Sequence, residues 1–420
     1  MKHRRLAGAI AVASAVAVVT AGCASTEGTS GADGELSGKV TMWTYPIILD
    51  ERGGEQAFWD TKAEEFAELH PDVDVEVIVQ PWSDREANIT TAIAGGVAPD
   101  VVYMITDQIA QFEQQGVLEP AESYLAEANL TGMLPNAREG VSVDGVQMAA
   151  PLLMQVNPLS CNKAVFDELG LDFPETYSDV LELGPALKDA GYYAYNYDGS
   201  LEGGSAASTF YPVLRSFGGA VFTEDGTDIA FDSPEGVAAL QWIKDIVDAG
   251  FSNPDAVVQS IPSDQGPGAR GEIACRNDTT PQDFATQIGE ENVAVLPPLA
   301  DVEQVAAGTV GSFVLLSGSK NKTAAGEWAS FITSQENTAE YGKLAGFNTP
   351  YGDDIFAGQD PLMEATSALL EYAYFGDVNP SARKVSGVIL PEIQAALLGT
   401  KTPEQALDDA AAAARQVMVQ

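Results

Sequence analysis

The sequence predicts an α/β fold built on a mainly parallel sheet, and three observations carry that expectation. Val101-Val102-Tyr103-Met104-Ile105 is an apolar run without alternation, the pattern of a strand covered on both faces. A helix ending leads into it: Gly95 and Gly96 accept the positive φ of a helix C-terminus, and Pro99 bars continuation. Strand-like and helix-like segments then alternate along the chain, as βαβ units require. Asp107 stands just past the carboxyl end of the apolar run, where open α/β sheets bind their ligands. At 420 residues and 45% hydrophobic the chain is too long for one ordinary domain, and two are expected.

The first element is a leader. Met1–Arg5 is basic and Leu6–Ala21 is apolar and rich in Ala and Val, which together fit a secretory signal of residues 1–22. It ends Val19-Thr20-Ala21-Gly22-Cys23, which resembles a bacterial lipobox with Thr20 where the pattern has Leu. That resemblance implies lipidation at Cys23; the bland alternative is an ordinary signal peptide with a stray cysteine. Residues 23–37 are rich in Ser, Thr, Gly, Asp and Glu and read as a flexible tether.

The body opens with a strand at Lys39–Trp43, a helix at Phe58–Leu69 with Phe58, Trp59, Ala63, Phe66 and Leu69 as its apolar stripe, and an alternating strand at Val73–Val79. A helix through Ile89 and Ile93 precedes the Val101–Ile105 strand, and Ile109–Gln115 is helical, with a turn at Gly116–Pro120. Thr176 and Asp179 form a capping box for a helix in which Gly184-Pro185 predicts an interruption. Ser233-Pro234 is the N-cap and first position of a helix closed by Gly250. Ile273–Cys275 is a buried strand, Val293–Leu296 leads to a crossing, and Gly311–Leu316 is a strand. Thr323 caps the helix of Trp328, Phe331 and Ile332, and Thr402–Gln405 caps the last helix.

The formal charge of −40 excludes nucleic acid as a partner, since its phosphates would be repelled. Loss of residues 1–22 takes Lys2, Arg4 and Arg5 with it and leaves 18 basic against 61 acidic residues, a charge of about −43. With His3 and His70 the only histidines, a His-based zinc or nucleophilic site is excluded and no metal is expected. Beyond Cys23 the cysteines are Cys161 and Cys275, an even count that permits a disulfide in an exported chain; two buried thiols in strands is the alternative. No Gly-x-Ser-x-Gly elbow or phosphate loop appears, and chance carboxylate pairs are too common among 61 acidic residues to indicate a glycosidase.

Several segments in order resemble the family-1 extracellular solute-binding proteins, the maltose-binding type that serve ABC importers. They are Gly95–Tyr103, Gly116-Val117-Leu118, Leu159–Phe166, Phe217–Phe222, Phe231–Leu240, Ser319–Lys322 and Gly399–Leu407. The resemblance implies a type II periplasmic-binding-protein-like fold: two α/β lobes with the ligand cleft between them. Lobe 1 would hold residues 38–150 and 308–348 and lobe 2 residues 151–307 and 349–420, with a third crossing near Asn348–Pro350. It also implies a monomer that carries a sugar or oligosaccharide to membrane permease subunits, with no cofactor and no catalysis.

A polyol cleft needs flat aromatic faces and planar hydrogen-bonding groups. Candidates at strand ends are Trp43, Tyr45, Trp82, Asp107, Asn277, Asp278, Ser312 and Phe313. By resemblance Gln155 joins them on a crossing strand, and Tyr372, Tyr374 and Arg383 fall in the last ligand-contacting region. Family members often carry an aromatic beyond the Ile273–Cys275 strand; Pro281 and Phe284 stand nearby instead. Trp43 and Phe313 read equally as core; for Asp107 the resemblance implies a sugar-binding carboxylate, with the cap of a helix beginning at Gln108 as the alternative. The expected function is therefore capture of a sugar outside the cell by a lipid-anchored binding protein. The alternatives are a non-sugar polar solute, a secreted carbohydrate-active enzyme, and an adhesion or sensor lipoprotein.

Overall fold

The computed structural model describes residues 36–201, 206–262 and 264–418; the leader, Cys23 and most of the tether lie outside them. The first sheet begins with β1 (Gly38–Thr44), β2 (Val73–Val79) and β3 (Val101–Ile105), parallel and in the order β2–β1–β3. A small hairpin, β4 (Ser142–Val143) and β5 (Val146–Gln147), precedes β6 (Ala150–Asn157). The second sheet takes β7 (Leu159–Asn162), β8 (Tyr193–Asn196), β9 (Ile273–Arg276) and β10 (Val293–Leu296) in the order β10–β7–β9–β8. The chain returns in β11 (Ala306–Leu315), antiparallel to both β3 and β6, and β12 (Ala373–Tyr374) pairs in parallel with its start.

β3 shows why its sequence has no alternation. Val101 and Tyr103 enter a core on one face of the sheet with Trp59, Phe66, Trp328 and Tyr341, while Val102 and Met104 enter a second core with Ile89, Ile109 and Phe112 on the other. A strand between two helical layers buries both its rows of side chains. A third core belongs to the second sheet and gathers Tyr195, Phe210, Leu240, Trp242, Ile243, Ile389 and Leu407. The two-lobed α/β class stands, but the sheets are more mixed than a mainly parallel expectation. β11 enters from the other lobe and so runs against β3 and β6, and in the second sheet only β8 and β9 are parallel.

The capping signals act as their chemistry demands. The Thr176 hydroxyl accepts from Asp179 N at 3.1 Å, Ser233 from Gly236 N at 3.2 Å, and Thr402 from Gln405 N at 3.1 Å. Two local expectations are corrected. The helix Tyr177–Asp189 runs through Gly184-Pro185 without a break; a Cβ on Gly184 would lie 2.3 Å from the Phe251 ring, so this glycine makes room for an aromatic side chain. The helix Lys322–Ile332 starts one residue before Thr323, and Asn321 holds the cap position with no side-chain cap bond.

Three passages join the lobes. β6 runs into β7 at Asn157–Leu159, β10 returns to β11 through residues 297–305, and the third lies later than Asn348–Pro350. Asn348 still bridges to Met154 of β6, Leu370 and Ala373 still pack in a core of the first sheet, and the chain enters the third core, that of the second sheet, with the helix Ala382–Leu397. Cys161 and Cys275 sit opposite each other on the antiparallel strands β7 and β9, Cα atoms 4.1 Å apart, and are joined as a disulfide.

Candidate functional site

The site grows from a gap in the first sheet. β3 pairs with Gly311–Leu315 and β12 with Ala306–Ala307, so Gly308, Thr309 and Val310 between them meet only β6. A cavity of about 380 Å³ opens against these three residues. The first lobe lines it with Ile105, Thr106 and Asp107 at the carboxyl end of β3, and the second with Ser208, Tyr211 and Arg383. Phe375 and Asp377, on the third passage, complete its wall.

Polar atoms from both lobes stand ready here. Thr106 Oγ1, Asp107 Oδ1 and Tyr211 OH are buried and make no hydrogen bond. Leaving a buried polar atom without a partner costs ~1–3 kcal/mol, and three such atoms stand around this one cavity. Asp107 is not a helix cap: the helix Thr106–Gln114 begins before it, with Ile105 at the cap position. Its Oδ2 receives Arg383 Nη2 at 2.6 Å and Nε at 2.8 Å, and Arg383 Nη1 reaches Glu86 Oε2 at 2.8 Å. Arg383 thus ties the second lobe to two carboxylates of the first. Burial pushes the Asp377 carboxyl above its ordinary range, with the Tyr374 hydroxyl and Arg215 pulling it back.

Beyond Arg383 lies an open groove of about 630 Å³ with Trp82, Asp84, Arg85, Glu86, Thr90 and Thr91. Trp82 is 42% exposed and lies on Tyr45, ring centroids 4.8 Å apart and planes 20° apart. Its Nε1 donates to Pro46 O at 3.2 Å, and the Arg85 guanidinium stands 5.3 Å from its ring. The loop beneath is held by Glu55, the first residue of the helix Glu55–Leu69. Glu55 Oε2 accepts from Ile48 N at 2.8 Å and Ile47 N at 3.1 Å, and Oε1 from Trp59 Nε1 at 2.6 Å and Thr44 Oγ1 at 3.2 Å. Tyr341 OH, at 3.0 Å, is a fifth donor. Burial pushes the Glu55 pKa up, and the bonds from Ile48, Trp59, Ile47 and Tyr341 oppose the shift.

The candidates separate by position. Asp107, Arg383 and Trp82 line the cavity and its outer groove. Gln155 lines another groove between the lobes, about 620 Å³, with Thr280, Gln282 and Asp283; there Gln282 Nε2 is buried and unpartnered. Tyr45 is 1% exposed and backs Trp82, so it offers no free face. Ser312 and Phe313 are corrections: both are fully buried, Phe313 between Trp59 and Tyr103, because β11 is covered on both faces there. Trp43 is partly buried and packs against a core of the first sheet. Asp278 turns inside the second lobe to Arg276 at 2.8 Å and Asn196 at 2.7 Å, and Asn277 is partly exposed beside it. Tyr374 is engaged by Asp377 and by Arg215 over its ring.

Thr106, Tyr211, Glu86 and Asp377 were not foreseen. Tyr211 lies in the apolar run Phe210–Leu214, which reads as core, and only its unpartnered hydroxyl sets it apart. Among the described residues no three His, Cys, Asp or Glu side chains come together as a metal site.

Residues 51–339 match the model of the bacterial extracellular solute-binding proteins. The chain belongs to that family. As a solute-binding protein it binds a substrate outside the cytoplasm and is not an enzyme. It is 24% identical over 84% of its length to a protein of Brucella abortus named as a binding protein, of which it covers 88%. It is 25% identical over 49% of its length to a maltotriose-binding protein of Pyrococcus abyssi, 42% of which is covered. The cyclic alpha-maltosyl-1,6-maltose binding protein of Arthrobacter globiformis has the same fold, with a TM-score of 0.78 at 19% identity, over 91% of this solute-binding protein and 99% of that chain. Among the described residues no helix is long and apolar enough to cross a membrane.

Proposed function

We propose that this solute-binding protein captures a sugar or short oligosaccharide between its lobes and delivers it to the permease of an ABC importer. One observation carries the reading: the unpartnered hydroxyls of Thr106 and Tyr211 and the free oxygen of Asp107 come from both lobes around one cavity. Hydroxyl-rich guests satisfy such donors and acceptors, and the exposed ring of Trp82 suits the C–H face of a sugar. The relatives named for maltotriose and for a cyclic maltosyl-maltose support the same class. Closure follows because a ligand that touches both lobes binds the closed state better than the open one.

A thermal-shift screen over mono- and oligosaccharides tests this. A ligand at a hundredfold its dissociation constant adds ~2.7 kcal/mol, so the right sugar raises the melting temperature clearly. A panel of sugars without effect, beside a polar non-sugar solute that stabilises the protein, would overturn it.

The anchor belongs to the same proposal. Cys23 follows the small-residue run of the leader, and a lipid there would hold the body at the outer face of the cell membrane. Cys23→Ser is expected to release the protein from membrane fractions into the medium. Retention of the variant on membranes would end the idea.

A further inference from the structure

We propose that Arg383 is a gate that sorts ligands by length, an inference that rests on the sugar-binding reading. Arg383 lines both the inner cavity of about 380 Å³ and the outer groove of about 630 Å³. Its guanidinium lies between them, fixed to Asp107 at 2.6 Å and to Glu86 at 2.8 Å. Ligand pockets span roughly 300–1,000 Å³, so the inner cavity is near the small end and a longer oligosaccharide has to continue into the groove beside Trp82. The path between the two crosses the Arg383 bridge. A short sugar sits behind the closed gate; a long one has to open it.

The charges indicate which member moves. Asp107 and Glu86 each lie in the first turn of a helix, where the macrodipole favours a carboxylate, and Gln111 Nε2 braces Glu86 at 2.7 Å. Arg383 lies in the first turn of the helix Ala382–Leu397, where a cation gains nothing from the dipole. Its side chain is 43% exposed on a long flexible stem. Exposed ion pairs contribute little each, so the bridge holds the lobes only lightly and yields to a ligand that offers its own hydroxyls. Once displaced, the guanidinium is free to hydrogen-bond the incoming chain.

Arg383→Ala tests the gate with maltose and maltotetraose as probes, titrated by calorimetry into the native protein and the variant. Removal of the gate should shift the affinity ratio at least about fivefold toward maltotetraose. Binding of both sugars with an unchanged ratio, or a shift toward maltose, overturns the sorting alone. No binding of either sugar to either protein overturns the sorting as proposed for these chains, whereas the sugar reading falls only if the whole thermal-shift panel is silent. A ligand-free measurement examines the bridge independently. The radius of gyration from small-angle scattering should rise in Arg383→Ala, and in the native protein at roughly 1 M sodium chloride, where the Debye length is ~3 Å. Salt should leave the variant unchanged. An equal radius for native protein and variant in both buffers means that the bridge does not hold the lobes closed, and overturns the gate.

Discussion

Asp107→Ala is expected to weaken ligand binding by roughly one to two orders of magnitude while the free protein melts close to its native temperature. The side chain offers one oxygen to Arg383 and holds the other buried without a partner at the cavity wall. A hydrogen bond to a charged group contributes ~1.5–3 kcal/mol, which is that range of affinity. Stability should fall by only about 1 kcal/mol, since Asp107 makes no cap bond and loses a favourable place near a helix N-terminus and a partly exposed ion pair with Arg383. Calorimetric titration beside a melt of the free protein checks both halves. Native affinity in the variant would remove Asp107 from the site.

Replacing both Cys161 and Cys275 with Ala is expected to cost ~2–5 kcal/mol of stability. The bond spans a sequence separation of 114 residues, and chain-entropy arguments give ~4–5 kcal/mol for a loop of that size. Both side chains are fully buried, so the loss adds to a small packing defect in the second lobe. Scanning calorimetry should show the transition shifted down, whereas Trp82, in the first lobe, keeps its surroundings. The complementary check is thiol labelling of the denatured, unreduced mature protein, in which neither Cys161 nor Cys275 should react. Two reactive thiols there, or a double variant as stable as the native chain, would contradict the pairing.

The sequence was most legible where one residue type has one physical reason to be present. The Val101–Ile105 run, the three caps at Thr176, Ser233 and Thr402, and the glycine stop before β3 are local chemistry, and each forms as its residues require. The place of Asp107 at the cavity wall was legible because open α/β sheets form their crevices at the carboxyl ends of their strands. Tyr45, Ser312 and Phe313 were not, because their burial depends on partners far along the chain. Trp82 covers Tyr45, and Trp59 and Tyr103 enclose Phe313. Gly184-Pro185 misled for a similar reason: only Phe251, from the end of another helix, explains the missing side chain. Tyr211 shows the opposite failure, a residue with core neighbours whose hydroxyl alone belongs to the cavity.

Glu55 touches no part of the cleft, yet it decides which lobe has to reorganise when a ligand arrives. Three of its five donors belong to the stretch from Thr44 to Ile48 and fix it, and that loop fixes Trp82 from below through Tyr45 and from the side through Pro46. Immobilising a flexible side chain at an interface costs ~0.5–1.5 kcal/mol of lost freedom; for Trp82 that loss has already occurred on folding. On the proposed reading the first lobe would meet its ligand as a rigid template, and the adjustment would fall on Arg383. Differences in residence time between ligands should accordingly follow what happens to that side chain, while the rate of first contact with the Trp82 face stays nearly constant.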